Sequence, residues 1–141
     1  MSDGPRYLFD HVHIYCSNLA TTERWFVDVM GAEVIDRRGS GNHPTVALRL
    51  GGGSLLLRGR LEGEELAAAG PPRFGVDHLG LLVSDVGSVI TELRRRGAEV
   101  SSEPRELRAG VYMAFVRGPD QVRIELVQRP PSSAAQPVRG Q

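Results

Sequence analysis

The 141 residues suffice for one ordinary domain with its own core. At 40% apolar and 24% charged, the composition is that of a soluble globular protein, and 17 basic residues balance 17 acidic ones. No net field therefore draws the chain to nucleic acid or to anionic lipid, and a single cysteine excludes both an intramolecular disulfide and CxxC metal motifs.

Met1-Ser2-Asp3-Gly4-Pro5 lacks the basic start and apolar core of a signal peptide. No apolar run approaches membrane-spanning length, so no membrane partner is expected, and a reducing cytoplasm is the expected location. The first predicted element is a strand through Val12-His13-Ile14-Tyr15-Cys16, in which Cys16 reads as a small buried hydrophobe. Asn18 is a helix N-cap, and Thr22, Trp25, Phe26 and Val29 form the core stripe of the helix it starts. Gly31 suits a left-handed C-cap. Apolar segments Glu33–Ile35, Thr45–Leu50 and Ser54–Leu57 follow as strands, with His43 in a Gly/Ser/Asn/Pro loop as a surface histidine.

The pattern then returns. DHVHIYCSNL at 10–19 is echoed by DHLGLLVSDV at 77–86, and Gly31-Ala32-Glu33-Val34 by Gly97-Ala98-Glu99-Val100. The offset between copies falls by one residue, which predicts a first helix one residue longer than the second. In the second copy Asp85 is the N-cap, Val86, Val89, Ile90 and Leu93 form the stripe, and Arg94-Arg95-Arg96 is a solvated helix end suited to the negative end of the dipole. Strands are expected at Glu99–Val100, Val111–Val116 and Val122–Val127. The chain is thus read as one domain, 9–127, made of module 9–58, linker 59–75 and module 76–127, each module running strand–helix–strand–strand–strand. Residues 128–141 are expected to be a disordered tail, because Pro-Pro-Ser-Ser-Ala-Ala-Gln-Pro cannot build a core.

Strand alternation assigns faces. Val12 and Ile14 should point at the first helix, leaving Phe9, His11, His13 and Tyr15 opposite. Leu79, Leu81 and Val83 should point at the second helix, leaving His78, Gly80 and Leu82 opposite. In the last strand Ile124 and Leu126 are core residues, so Arg123, Glu125 and Val127 face away. A carboxylate set between Ile124 and Leu126 needs a proton, a base or a metal. Two repeat-related imidazoles and one carboxylate, His11, His78 and Glu125, make a mixed N/O site suited to Zn, Ni, Co, Mn or Fe(II), with positions left open for substrate. The competing reading is three hydrogen-bonded polar residues on a sheet face; recurrence of the histidine in both copies favours metal.

From Phe9 to Val127 these motifs resemble the vicinal oxygen chelate superfamily of glyoxalases, bleomycin resistance proteins and extradiol dioxygenases. The resemblance rests on Asp-His-[Val/Leu]-x-[Ile/Leu], the Ser-Asn and Ser-Asp helix starts, Gly-Ala-Glu-Val, and Gly118-Pro119-Asp120-Gln121-Val122-Arg123-Ile124-Glu125, which is similar to the family segment DPDG-x-x-[IL]-E. It implies an α+β fold of two βαβββ modules whose curled mixed sheets form a cleft, one divalent metal on His11, His78 and Glu125, and a homodimer. The fourth family ligand position falls on Leu56, which cannot ligate. A tyrosine typical of dioxygenases is replaced by Phe115.

The reading that follows is a metal-dependent lyase or isomerase of glyoxalase or epimerase style. The metal polarises a substrate carbonyl while Glu125, or His13 on the same face as His11, moves a proton. Arg49, Arg58, Tyr112 and Arg123 are the candidate substrate-binding residues. An Fe(II) extradiol dioxygenase and a metal-free drug-sequestering protein are the alternatives.

Overall fold

A computed structural model describes residues 4–39, 44–67 and 72–131. His43 and the tail from residue 132 onward lie outside the described residues. The chain forms two compact units, Met1–Leu66 and Ala67–Gln141, whose boundary falls inside the 59–75 segment.

The first unit contains β1 (Val12–Tyr15), α1 (Leu19–Asp28), β2 (Glu33–Arg38), β3 (Thr45–Leu50) and β4 (Gly53–Arg58). Asn18 caps α1, its side chain accepting from the Thr21 backbone N–H at 3.0 Å. The strands form one mixed sheet in the order β1-β4-β3-β2, with β1 parallel to β4 and the other pairs antiparallel. Phe26 and Thr22 of the helix are buried, as are Val46, Leu48, Leu55 and Leu57 of the sheet and Cys16 just after β1. This core occupies one face of the sheet.

The second unit repeats the plan with β5 (Leu79–Leu82), α2 (Val86–Arg95), β6 (Glu99–Arg108), β7 (Val111–Arg117) and β8 (Arg123–Gln128), in sheet order β5-β8-β7-β6. Asp85 caps α2 through the Ser88 N–H at 2.9 Å. Val86, Ile90 and Leu93 of the helix are buried, with Ala114, Val116, Ile124 and Leu126 of the sheet. Both units are therefore α+β modules of the form βαβββ.

Three local expectations change. Both helices have ten residues, so the extra residue of the first copy lies between the helix end and Gly31, which takes the left-handed φ of 76° expected of a C-cap glycine. Strand β6 runs to Arg108, far beyond Val100. Its Ser101-to-Arg108 stretch carries no apolar alternation and contains Pro104, but as an edge strand it tolerates both, with register shifts along the way. Gln128 is the last residue of β8 and not part of a tail, and its side-chain oxygen accepts from the Val86 N–H at 2.9 Å. Among the described residues no helix is long and apolar enough to cross a membrane.

Candidate metal centre

In the first unit the face away from the core is built by alternation. Val12 and Ile14 are half-buried, while His13 and Tyr15 are exposed. His11 lies one residue before the strand. Its Nδ1 is hydrogen-bonded to Asp10 Oδ2 at 2.6 Å, which leaves Nε2 as the available ligand nitrogen. The His11 and His13 rings stand 6.2 Å apart between centroids, and His13 meets Tyr15 edge-on at 5.3 Å. The packing that strips water from the His13 ring holds its pKa below the usual histidine value, and the nearby charges of His11 and Arg58 push the same way.

The expected substrate arginines of this unit differ in their freedom. Arg58 lies 3.9 Å over the Tyr15 ring and donates to both oxygens of Glu64 at 2.8 and 3.0 Å. Its side chain is only 12% exposed, so its charge is already engaged. Arg49 is exposed, with Glu33 at 3.5 Å, and pairs with Ser54 in the alternation shared with Ala47 and Leu56.

The second unit brings two expected ligands together. β5 runs parallel to β8 with Gly80 opposite Glu125, and His78 precedes β5 as His11 precedes β1. His78 Nε2 lies 2.6 Å from Glu125 Oε2. On the other side of the ring, Asp77 Oδ2 accepts from Nδ1 at 2.9 Å. The same Asp77 oxygen accepts from Arg123 Nη1. The His78 hydrogen bond, and then the Arg123 charge, hold the Asp77 carboxyl below its ordinary pKa. Beneath this chain lies Phe115, the cross-strand neighbour of Glu125. His78 meets its ring edge-on at 5.2 Å and the Arg123 guanidinium lies 4.5 Å over it.

This donor set fits a divalent cation. A carboxylate only accepts, so at this distance a proton lies between Nε2 and Oε2; a divalent cation would replace that proton and take both atoms side by side as ligands. An aspartate on Nδ1 is the arrangement that orients a metal-binding imidazole and raises its basicity. Among the described residues no group of three or more His, Cys, Asp or Glu forms a metal-holding cluster. His11 and His13 belong to the first unit, and His78 and Glu125 to the second.

Tyr112 is not brought to the Glu125 face. It pairs with Gln128 and shares the alternation of Ala114 and Val116, opposite to that of Phe115. Sequence reasoning assigned no role to Asp10 and Asp77, although a carboxylate repeated beside each candidate ligand histidine was the available signal.

A family model described as the Glyoxalase/Bleomycin resistance protein/Dioxygenase superfamily matches residues 8–126. A probable chloroplastic lactoylglutathione lyase of Arabidopsis thaliana is 34% identical over 59 residues, 41% of this chain and 17% of that protein. A probable lactoylglutathione lyase of Synechocystis sp. is 38% identical over 55 residues, 38% of this chain and 42% of that protein. The chain thus spans less than half the length of these curated relatives. The crystal structure of a glyoxylase/bleomycin resistance protein/dioxygenase domain from Frankia sp. superposes with a TM-score of 0.73 at 21% identity, covering 89% of this chain and 100% of that one. At that identity the likeness establishes the fold.

Proposed function

The chain belongs to the glyoxalase/bleomycin resistance protein/dioxygenase superfamily, and from that premise we propose that it is a divalent-metal-dependent lyase or isomerase of glyoxalase or epimerase style. The observation that carries this reading is the Asp77–His78–Glu125 chain, in which an oriented imidazole nitrogen and a carboxylate oxygen stand 2.6 Å apart. The ligands proposed are His78, Glu125 and, from its equivalent place in the first repeat, His11. A bound divalent cation would supply Lewis acidity toward a substrate carbonyl.

The chain's own residues do the rest. The substrate is a small molecule offering two oxygens. Glu125 takes a proton from the carbon beside the carbonyl through its second oxygen. His13 is a second proton acceptor, its pKa held below the usual histidine value chiefly by burial. Arg49, exposed in its 3.5 Å pair with Glu33, meets an anionic group, whereas Arg58 serves the first unit by holding Glu64 and Tyr15. We assign the chain to the cytoplasm and to a homodimer, for which the exposed Tyr7, Leu8 and Phe9 offer apolar surface.

The test is metal analysis after purification without chelators, joined to a screen of 2-oxoaldehyde–thiol adducts, acyl-CoA epimers and catechols. One divalent ion per chain and turnover of one of the first two classes are expected. A protein that takes up no divalent metal at micromolar concentration overturns the proposal, and ring cleavage of a catechol redirects it to oxygen chemistry. A strictly monomeric mass in light scattering overturns the dimer.

A further inference from the structure

Arg123 and Asp77 form an ion pair whose side chains are 39% and 43% exposed. A pair this wet contributes little to folding stability. Its geometry is nevertheless well specified. One face of the guanidinium lies 4.5 Å over the Phe115 ring. Its Nη1 donates to Asp77 Oδ2, the same oxygen that accepts from His78 Nδ1. The edge of the His78 ring rests on Phe115 at 5.2 Å, and its Nε2 reaches Glu125. Arg123 and Glu125 are alternate residues on one face of β8, so a single strand supplies both the carboxylate beside Nε2 and the cation behind Nδ1.

The first unit lacks this support. Its Asp10 makes the equivalent hydrogen bond to His11, yet the Asp10 side chain is 90% exposed. The β4 position corresponding to Arg123 is Ser54, since Leu55 pairs with Val12 as Ile124 pairs with Leu79. Serine is too short and uncharged to lock an aspartate. The two histidines are therefore held unequally, and the difference lies in Arg123.

We propose that Arg123 is a positioning residue for His78: through Asp77 it fixes the orientation of the ring, with Nδ1 toward Asp77 and Nε2 toward Glu125. This replaces the substrate-binding role expected from sequence, because the guanidinium is already committed to Asp77 and Phe115. The inference rests on the proposed function only in naming a cation as what Nε2 receives.

Two readouts separate the two ideas. The first is the order of the His78 ring in side-chain NMR relaxation of the full chain. The second is cobalt(II) affinity. In the parent protein the His78 ring should be rigid. Arg123→Ala should loosen it, leave the His11 ring unchanged, and weaken cobalt binding about tenfold or more, the scale on which loss of a ligand's orienting partner acts. Arg123→Lys should restore part of both effects. Should alanine prevent folding, Arg123→Met, which keeps an aliphatic stem over Phe115, takes its place. An unchanged order of the His78 ring in the folded variant overturns the positioning role. If cobalt binds neither protein while the ring loosens, Arg123 positions His78 and the metal-dependent function fails.

Discussion

Leu56 and Glu125 occupy the same register position in their two sheets. Leu56 pairs with His13 across the parallel β1–β4 ladder, and Glu125 pairs with Gly80 across β5–β8. The duplicated module thus keeps the carboxylate in one copy and an isobutyl group in the other. Leu56→Glu places a carboxylate at that register position of the first unit. On the proposed function it should tighten cobalt(II) binding about tenfold, a gain of ~1.4 kcal/mol. The same change should lower the melting temperature of the metal-free protein, since a half-buried carboxylate without a cation is poorly solvated. Competition titration and melting with and without cobalt check both parts; equal affinity in the two proteins would place Leu56 away from the cation.

Glu125→Gln keeps shape but removes charge and a basic oxygen. The fold should persist, because Ile124 and Leu126 on either side carry the core of β8. Metal affinity should fall by more than the roughly 10–100-fold that loss of a ligand's hydrogen-bond partner costs, and proton-transfer activity should vanish. Metal content and the metal-induced rise in melting temperature measure it. Arg94→Ala, which loses only the exposed pair with Glu103, should match the parent protein in both. A glutamine variant with full metal occupancy would reduce Glu125 to an ordinary polar residue.

Gln121 stands where the family segment DPDG has glycine, and it adopts a left-handed φ of 62°. A left-handed conformation costs a residue with a Cβ roughly 1–2 kcal/mol, while glycine's freer unfolded chain gives back about 0.5–1 kcal/mol. Gln121→Gly should therefore stabilise the protein by about 0.5–1 kcal/mol net, seen as a higher urea midpoint with unchanged slope. A lower midpoint would mean that the glutamine makes compensating contacts. Asp120, at a φ of 55°, is a residue type that visits this region readily, and Asp120→Gly should gain less.

Glu92 receives hydrogen bonds from Arg95 and Arg96, which pull its pKa from 4.5 to about 2. A depressed carboxylate stabilises the folded state above its unfolded pKa, and that contribution is lost as pH falls toward the folded one. The difference in melting temperature between the parent protein and Glu92→Gln should be constant above about pH 5 and shrink between pH 4.5 and 2. Screening by 1 M salt should reduce it at every pH. A difference that grows on acidification would reverse the assignment.

Much of this was legible in the residues. The repeat fixed two equivalent modules, and alternation separated core from open face correctly in β1, β5 and β8. The same alternation, extended to β7, would have excluded Tyr112 by parity, since Phe115 and Tyr112 differ by an odd number of positions. Strand β6 escaped because an edge strand can be polar and still pair, so periodicity carries no signal there. The partners of the arginines escaped for a different reason. Whether Arg58 is free or held by Glu64, and Arg123 by Asp77, depends on contacts made after folding, and 46 residues separate the second pair. The neighbouring aspartates were visible, yet which ring nitrogen each would occupy shows only in the folded contacts.

Among the described residues, the opening strand of each sheet bonds only to the closing one, β1 to β4 and β5 to β8. On a ribosome, β5 leaves the exit tunnel with no partner and stays unpaired until β8 has been made. The loop that this pairing closes is the longest in its unit, so its entropy is repaid late, after the hairpins of β6, β7 and β8 have formed. His78 and Glu125 sit at that seam. Loop-closure entropy thus sets their encounter late in the unit's assembly, and a chain that has not yet paired β5 with β8 has no adjacent imidazole and carboxylate with which to capture a stray cation.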